Sequence, residues 1–296
     1  MVAIDLGSNT IRMIEFDCKT KIVKNVFEKI VKTADKLYSE KIISDEAIER
    51  IIQAIEESKS KLNFQDEVIA YTTEAIRQAE NRDEVIQKIE EKTSVKFQVI
   101  TPEEEAYFTS VGVANSIKLP YKTMLLVDIG GGSTEIILKN KNDLISESFK
   151  IGIVTISEKY KSIEALEYGI KKDTKKFKDF IKFIEASYAP DIFVASSGTP
   201  TTIAALKIGL NYETYDPQKV NGVKLTINDL DEWKEKLLKM EVKKREQLVG
   251  IGRGNLIVSG ILIFKEIFKM SGFKECIVSD DGVREGIAID YCKNKK

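Results

Sequence analysis

Residues 125–138 read LLVDIGGGSTEIIL. Aliphatic and β-branched residues on both sides of three glycines predict two strands of a buried sheet. The glycines predict a tight turn whose backbone N–H groups are not shielded by any Cβ. Amides presented in this way can meet phosphate oxygens. Asp128 ends the first strand and Glu135 follows the turn, so both carboxylates are expected to face one small space. Amides for an anion and hard oxygens for a metal are the chemistry of a phosphate–Mg²⁺ site. Gly-rich turns between strands also occur in proteins that bind nothing, and the motif alone leaves both readings open.

A second copy of the pattern opens the chain. Residues 2–16, VAIDLGSNTIRMIEF, place Asp5 where the later stretch has Asp128, and Gly7 where it has Gly130. Seven residues after each aspartate the two copies differ in charge, with Arg12 in one and Glu135 in the other. One suits a phosphate oxygen, the other a metal or its water. Such an internal repeat predicts two related halves facing each other across a cleft.

Composition narrows the chemistry. The 296 residues allow two domains, and 46 basic residues against 47 acidic ones leave a net charge of −1. No global positive field therefore attracts a polyanion, and local clusters must do so. No nucleic-acid partner is expected. The chain has no histidine, which excludes His-based general bases, catalytic triads and His metal clusters together. Any catalysis must come from carboxylates, Lys, Arg, hydroxyls or backbone amides. Cys18, Cys276 and Cys292 are odd in number and lack CxxC spacing, which fits a reducing compartment and no zinc site. Without a leader-like N-terminus or a spanning apolar run, the expectation is a cytoplasmic protein with no membrane partner.

Along the chain, strand patterns fall at 21–32, 68–72, 97–100, 144–151, 192–196, 219–227 and 275–279. Helical spacing covers 44–62, 82–93, 157–188, 228–240, 243–248 and 255–270. Thr72 or Thr73 is the expected cap of a short helix carrying Arg77. Thr101, Pro102 and Glu104 form a capping-box start to a helix reaching about Asn115. Helix grammar accounts for two of Glu103, Glu104 and Glu105, leaving one for another role. Ser197-Gly198-Thr199 follows a strand and opens a helix, so its amides are also candidates to face an anion. The lysines between Lys171 and Lys182 are either a solvated face or a track for a long anion.

Six motifs in order carry a resemblance: DLGSNTIR at 5–12, TTEAIRQAEN at 72–81, EEEA at 103–106, DIGGGSTE at 128–135, SSGT at 196–199 and GVREG at 282–286. Together they resemble the exopolyphosphatase/guanosine pentaphosphate phosphohydrolase (Ppx/GppA) family of the actin-like ATPase superfold, in a short two-domain form. The resemblance implies an α/β protein of two RNase H-like domains facing each other across a cleft. The expected domains are 1–120 and 121–296, with the last helix allowed to pack back on the first. The implied activity is Mg²⁺-dependent release of the terminal phosphate of inorganic polyphosphate, with Mn²⁺ as the alternative ion. Hydrolysis of guanosine pentaphosphate is the competing enzyme reading. A non-catalytic polyphosphate- or nucleotide-binding module is the reading from another class, and a homodimer is allowed for.

Carried over by position, Glu105 is the carboxylate that activates water, a base already ionised at neutral pH. Arg12 and Arg77 are catalytic phosphate clamps, with Arg284 a third phosphate-binding arginine. Gly7, Ser8, Asn9, Gly130, Gly131, Gly132, Ser133, Gly198 and Thr199 are the expected phosphate cradle. Asp128, Glu135 and Asp5 are the expected metal ligands. Two departures stand out. Asn255 occupies the place of a family aspartate, keeping a capping role but not the charge. The chain is also expected to lack the additional C-terminal domains of longer members.

Overall fold

The computed structural model describes residues 1–295. The first elements are strands β1 (Val2–Leu6), β2 (Thr10–Asp17) and β3 (Ile22–Ile30), then helices α1 (Leu37–Glu40) and α2 (Asp45–Ser58). Strand β4 (Val68–Thr72), helices α3 (Glu74–Gln78) and α4 (Arg82–Thr93), strand β5 (Phe97–Val99) and helix α5 (Pro102–Ser116) follow. Local chemistry explains these bounds. The Ser44 side chain accepts from the Ala47 N–H to cap α2, whose Ile48, Ile51 and Ile55 are buried on one face. At α5 the expected capping box forms: Glu104 accepts from the Thr101 N–H at 2.8 Å, and the Thr101 hydroxyl accepts from the Glu104 N–H at 3.2 Å. The sheet order is β3-β2-β1-β4-β5, with the first three strands antiparallel and the remainder parallel.

The next sheet begins with β6 (Thr123–Ile129), β7 (Thr134–Asn140) and β8 (Leu144–Phe149), followed by α6 (Ile153–Lys159), α7 (Ile163–Asp173) and α8 (Lys175–Tyr188). Then come β9 (Ile192–Ser196), α9 (Gly198–Lys207), α10 (Pro217–Val220), β10 (Lys224–Leu225) and α11 (Ile227–Leu238). The chain ends with α12 (Val242–Val249), α13 (Leu256–Met270), β11 (Cys276–Val278) and α14 (Val283–Asn294). The second order, β10-β11-β9-β6-β7-β8, repeats the first with β10 added at one edge. Both sheets therefore have the RNase H-like arrangement of an antiparallel meander continued by parallel strands, and the α/β class expected from the sequence is present twice.

Two compact units result: Met1–Gly112 together with the chain from Gly282 on, and Val113–Asp281. The final helix α14 belongs to the first unit, where Val283, Ile287 and Ala288 pack with Met1, Ala3, Ile14, Phe16 and Phe108. Glycines make this packing close. A Cβ on Gly286 would fall 1.9 Å from the Phe108 carbonyl oxygen, and one on Gly112 would fall 2.1 Å from that of Gly282. The second unit has its own core, in which Phe193, Phe264 and Phe268 are fully buried. Among the described residues no helix is long and apolar enough to cross a membrane.

Several expectations are corrected. The helical stretch at 157–188 is three helices. The Tyr160 ring packs where a Cβ on Gly169 would stand 2.2 Å from it, turning the chain, and Ser162 restarts the helix by capping Ala165. The strand expected at 219–227 shrinks to Lys224–Leu225, because Asp216 caps a short helix with Pro217 at its first position and Gly222 has φ +86°. Neither Thr73 nor Asn255 caps with its side chain, although both hold the N-cap position. The Thr72 hydroxyl donates instead to the Leu6 carbonyl, fastening β4 to β1.

The cysteine reading also fails. Cys18, just past β2, and Cys292, on α14, form a disulfide with Cα atoms 5.3 Å apart. Their 274-residue separation hid the pair from spacing arguments, and the argument for a reducing compartment falls with it. Cys276 is a buried thiol whose pKa burial pushes well up. Thiol titration of the unfolded, unreduced protein should therefore count one free thiol, from Cys276. Cys292→Ser should lower stability by about 2–5 kcal/mol in denaturant titrations, because the bond closes nearly the whole chain. Gly286→Ala should cost about 3 kcal/mol or more by the same measurement, since the added carbon meets backbone oxygen.

Candidate active site

The two hairpins recognised in the sequence have matching geometry. Asp5 lies opposite Arg12 across β1 and β2, and Asp128 lies opposite Glu135 across β6 and β7. Directly opposed residues of antiparallel strands project from the same face, so each pair is brought together. Gly7 donates to the Thr10 carbonyl at 3.0 Å, and Gly130 donates to the Ser133 carbonyl at 2.9 Å. The first glycine of each turn thus uses its amide to close the turn, which removes Gly7 and Gly130 as amide donors to a phosphate.

In the first unit the row continues to a third strand. Glu28 on β3 lies opposite Arg12, with a carboxylate oxygen 3.6 Å from Arg12 Nε and 3.8 Å from Arg284 Nη1. Arg284 is buried and also donates from Nε to Glu285, which in turn accepts from the Gly282 N–H. Two expected phosphate-binding arginines are therefore anchored through one glutamate that the motif reading passed over. Asp5 has a guanidinium opposite it on the neighbouring strand, a setting unlike that of the Asp128–Glu135 pair. Ser8 and Asn9 are buried in the turn, their carbonyls accepting from Ala34 and from Val31 and Lys32. Their carbonyls hold the loop after β3 against the turn.

Glu105 and Arg77 meet as well. Arg77 Nη2 donates to Glu105 Oε2 at 3.2 Å and to Glu74 Oε2 at 2.8 Å. Its Nε donates to the same Glu74 oxygen at 3.2 Å, and Nη1 donates to the Ile100 carbonyl at 2.6 Å. Burial works against the guanidinium charge, but Glu105 and Glu74 outweigh it and hold the Arg77 pKa above its ordinary value. Of the three glutamates at the start of α5, Glu103 and Glu104 are exposed and Glu105 is buried. Glu74 is buried too, and its Oε1 has no hydrogen-bond partner among the described residues. An orphaned buried acceptor costs about 1–3 kcal/mol.

The second unit holds the remaining expected residues. Ser148 on β8 lies opposite Glu135 and donates to its Oε1 at 2.7 Å, and Glu135 is only 2% exposed. The turn after Asp128 is held from outside. Gly130 and Gly131 carbonyls accept from Ile153 and Val154 at the start of α6, an approach that needs Gly152, whose Cβ would lie 2.3 Å from the Gly131 oxygen. The N–H groups of Gly131 and Gly132 have no acceptor among the described residues. Ser133 is buried at the end of the turn. Ser197 ties in the third loop, its hydroxyl donating to the Ile129 carbonyl at 2.6 Å and accepting from the Ile129 N–H at 3.1 Å. That places Gly198, the first residue of α9, beside the hairpin. The Thr199 hydroxyl instead lies against α13, 2.0 Å from where a Cβ on Gly260 would stand, so Thr199 faces the core.

Two opposed carboxylates with one hydroxyl donor, beside two amides without acceptors, are a donor set that suits a hard divalent cation with a phosphate. No group of three or more Asp, Glu or Cys side chains that could hold a metal occurs among the described residues. Mg²⁺ is commonly held by one or two carboxylates completed by water and phosphate oxygens, so the pair fits it. Glu28, Glu74 and Ser148 were missed by motif reading. Glu74 alone left a signal, standing three residues before Arg77 on one helix.

Comparison with known proteins identifies relatives of this chain. The Ppx/GppA phosphatase family profile matches residues 20–295. The bifunctional 3-dehydroquinate synthase/phosphatase of Fusobacterium nucleatum is 27% identical over 99% of this chain, which spans 46% of that longer protein. Exopolyphosphatase 2 of Mycobacterium tuberculosis is 24% identical over 98% of this chain and 97% of its own. The crystal structure of the Aquifex aeolicus member of the Ppx/GppA family superposes with a TM-score of 0.75 at 28% identity, covering 100% of this chain and 98% of that one. With the family profile covering nearly its full length and both hairpins in place, the chain belongs to the Ppx/GppA phosphatase family and is a phosphoanhydride hydrolase.

Proposed function

We propose that the protein is an exopolyphosphatase that releases terminal orthophosphate from inorganic polyphosphate, with Mg²⁺ or Mn²⁺ as cofactor. The observation that carries this reading is the Asp128–Glu135 carboxylate pair beside the Gly131 and Gly132 amides, in a member of a phosphatase family. A bound divalent ion would neutralise phosphate charge as the anhydride breaks. Asp128 and Glu135 would hold it, and Ser148 would fix the Glu135 carboxylate. Gly131, Gly132 and the start of α9 would take phosphate oxygens. Glu105 would accept the proton of the attacking water, with Arg77 orienting it. Arg12 and Arg284 would supply positive charge to the transferring phosphoryl group, which needs electrostatic stabilisation more than covalent help.

The name of the Mycobacterium relative supports polyphosphate as substrate. The lysines of α7 and α8 are exposed. Lys171 lines a depression of about 240 Å³ with Lys234, Lys265 and Lys269. The last three of these pair with Glu167, Asp231 and Glu266.

A substrate panel tests the proposal. Wild type with Mg²⁺ should release phosphate from polyphosphate faster than from guanosine pentaphosphate, and chelation should stop it. Glu105→Ala should lower turnover by on the order of 10²-fold or more. Undiminished turnover in that variant would overturn the role of Glu105. A preference for the guanosine compound would reassign the substrate, and binding without turnover under any divalent ion would mark a binding module. Ser148→Ala should raise the Mg²⁺ concentration for half-maximal activity by roughly tenfold, as loss of an orienting hydrogen bond does at metal ligands.

A further inference from the structure

We infer that Glu74 is a positioning residue for Glu105, acting through Arg77. The inference rests on the hydrolase reading above, in which Glu105 activates water. Arg77 gives two bonds to Glu74, from Nε at 3.2 Å and from Nη2 at 2.8 Å, and one to Glu105, from Nη2 at 3.2 Å. Glu74 is therefore the main anchor of the guanidinium, and the Ile100 carbonyl holds its other end. Glu105 thus receives one of the four bonds of Arg77, not a two-pronged pair. A base must be ionised yet still willing to take a proton, and a bidentate Arg–carboxylate pair would work against that.

The geometry also argues that Glu74 is poorly suited to a purely structural task. It is 6% exposed, and its Oε1 is buried with no partner among the described residues. A carboxylate oxygen kept in this state weakens the fold. Its compensation is the orientation of Arg77. Arg77 makes four bonds within the protein, to Glu74, Glu105 and Ile100. Its main task is thus to hold the base, rather than to clamp phosphate as the motif carry-over implied.

The test compares Glu74→Gln and Glu74→Asp with wild type on whichever phosphoanhydride the wild type hydrolyses. Glu74→Gln should lower kcat by on the order of 10- to 100-fold with KM within about twofold, because orientation of a reacting group is lost while substrate contacts stay. Glu74→Asp, which keeps a carboxylate for the guanidinium, should recover part of kcat, and both variants should keep a cooperative thermal transition. Unchanged kcat in Glu74→Gln, or a change confined to KM, would overturn the assignment, the latter returning Arg77 to a substrate-clamping role. A second readout does not depend on turnover. In ¹⁵N-arginine spectra Arg77 should show a slowly exchanging Nε–H that Glu74→Ala abolishes and Glu105→Ala retains. Retention in Glu74→Ala would sink the anchor. An inactive wild type with this pattern intact would refute the hydrolase reading instead.

Discussion

Each half of this protein depends on one row of side chains crossing three antiparallel strands. In the first unit the row is Asp5, Arg12 and Glu28; in the second it is Asp128, Glu135 and Ser148. Placing two carboxylates directly opposite each other on a hairpin is unfavourable on its own. Glu135 is nearly inaccessible, so water cannot relieve the repulsion cheaply. A hydroxyl donor on the third strand, Ser148, offsets part of it, and in the proposed function a bound divalent cation adds to that. Where the cationic residue stands at the equivalent place, the third strand supplies a glutamate. The duplicated topology is thus kept while the charge at its centre reverses, and each outer strand carries the residue that reversal requires.

Around these rows the backbone does much of the positioning. The first glycine of each turn closes its own hairpin, and neighbouring elements donate to the Ser8, Asn9, Gly130 and Gly131 carbonyls, while the Gly131 and Gly132 N–H groups have no acceptor among the described residues. A site built this way presents a positive electrostatic surface without spending a side chain on it. The close approach of α6 to the Gly131 carbonyl, possible because Gly152 has no side chain, is part of the same construction. In the first unit the crossing at Gly112, Gly282 and Gly286 brings α14 against backbone carbonyls, and the Cys18–Cys292 bond fastens the same helix.

Much of this could be read before any coordinates. Local patterns placed nearly every strand and helix, because alternation, 3.6-residue spacing and capping residues act over a few positions. The capping box at Thr101 and Glu104 formed as expected, and that left Glu105 as the glutamate with a separate task. Errors came where a distant contact overrode a local preference. Tyr160 over Gly169 broke a long helical pattern, and Asp216 with Pro217 turned an apparent strand into a helix. The disulfide was missed because its two cysteines lie at opposite ends of the chain.

By itself the sequence determined the architecture, the repeat and the chemistry that is excluded. The absence of histidine removed whole classes of mechanism, and the equal spacing of Asp5–Arg12 and Asp128–Glu135 predicted paired hairpins. Only the tertiary structure decided what those residues touch. In the first unit Glu28 joins the expected residues through strand register and Glu74 through a guanidinium that reaches from α3 to α5; in the second, Ser148 does so through strand register. Such contacts depend on where separate elements come to rest, and no pattern within a short window encodes that. The same reason sets Arg77 between two carboxylates, Glu74 and Glu105.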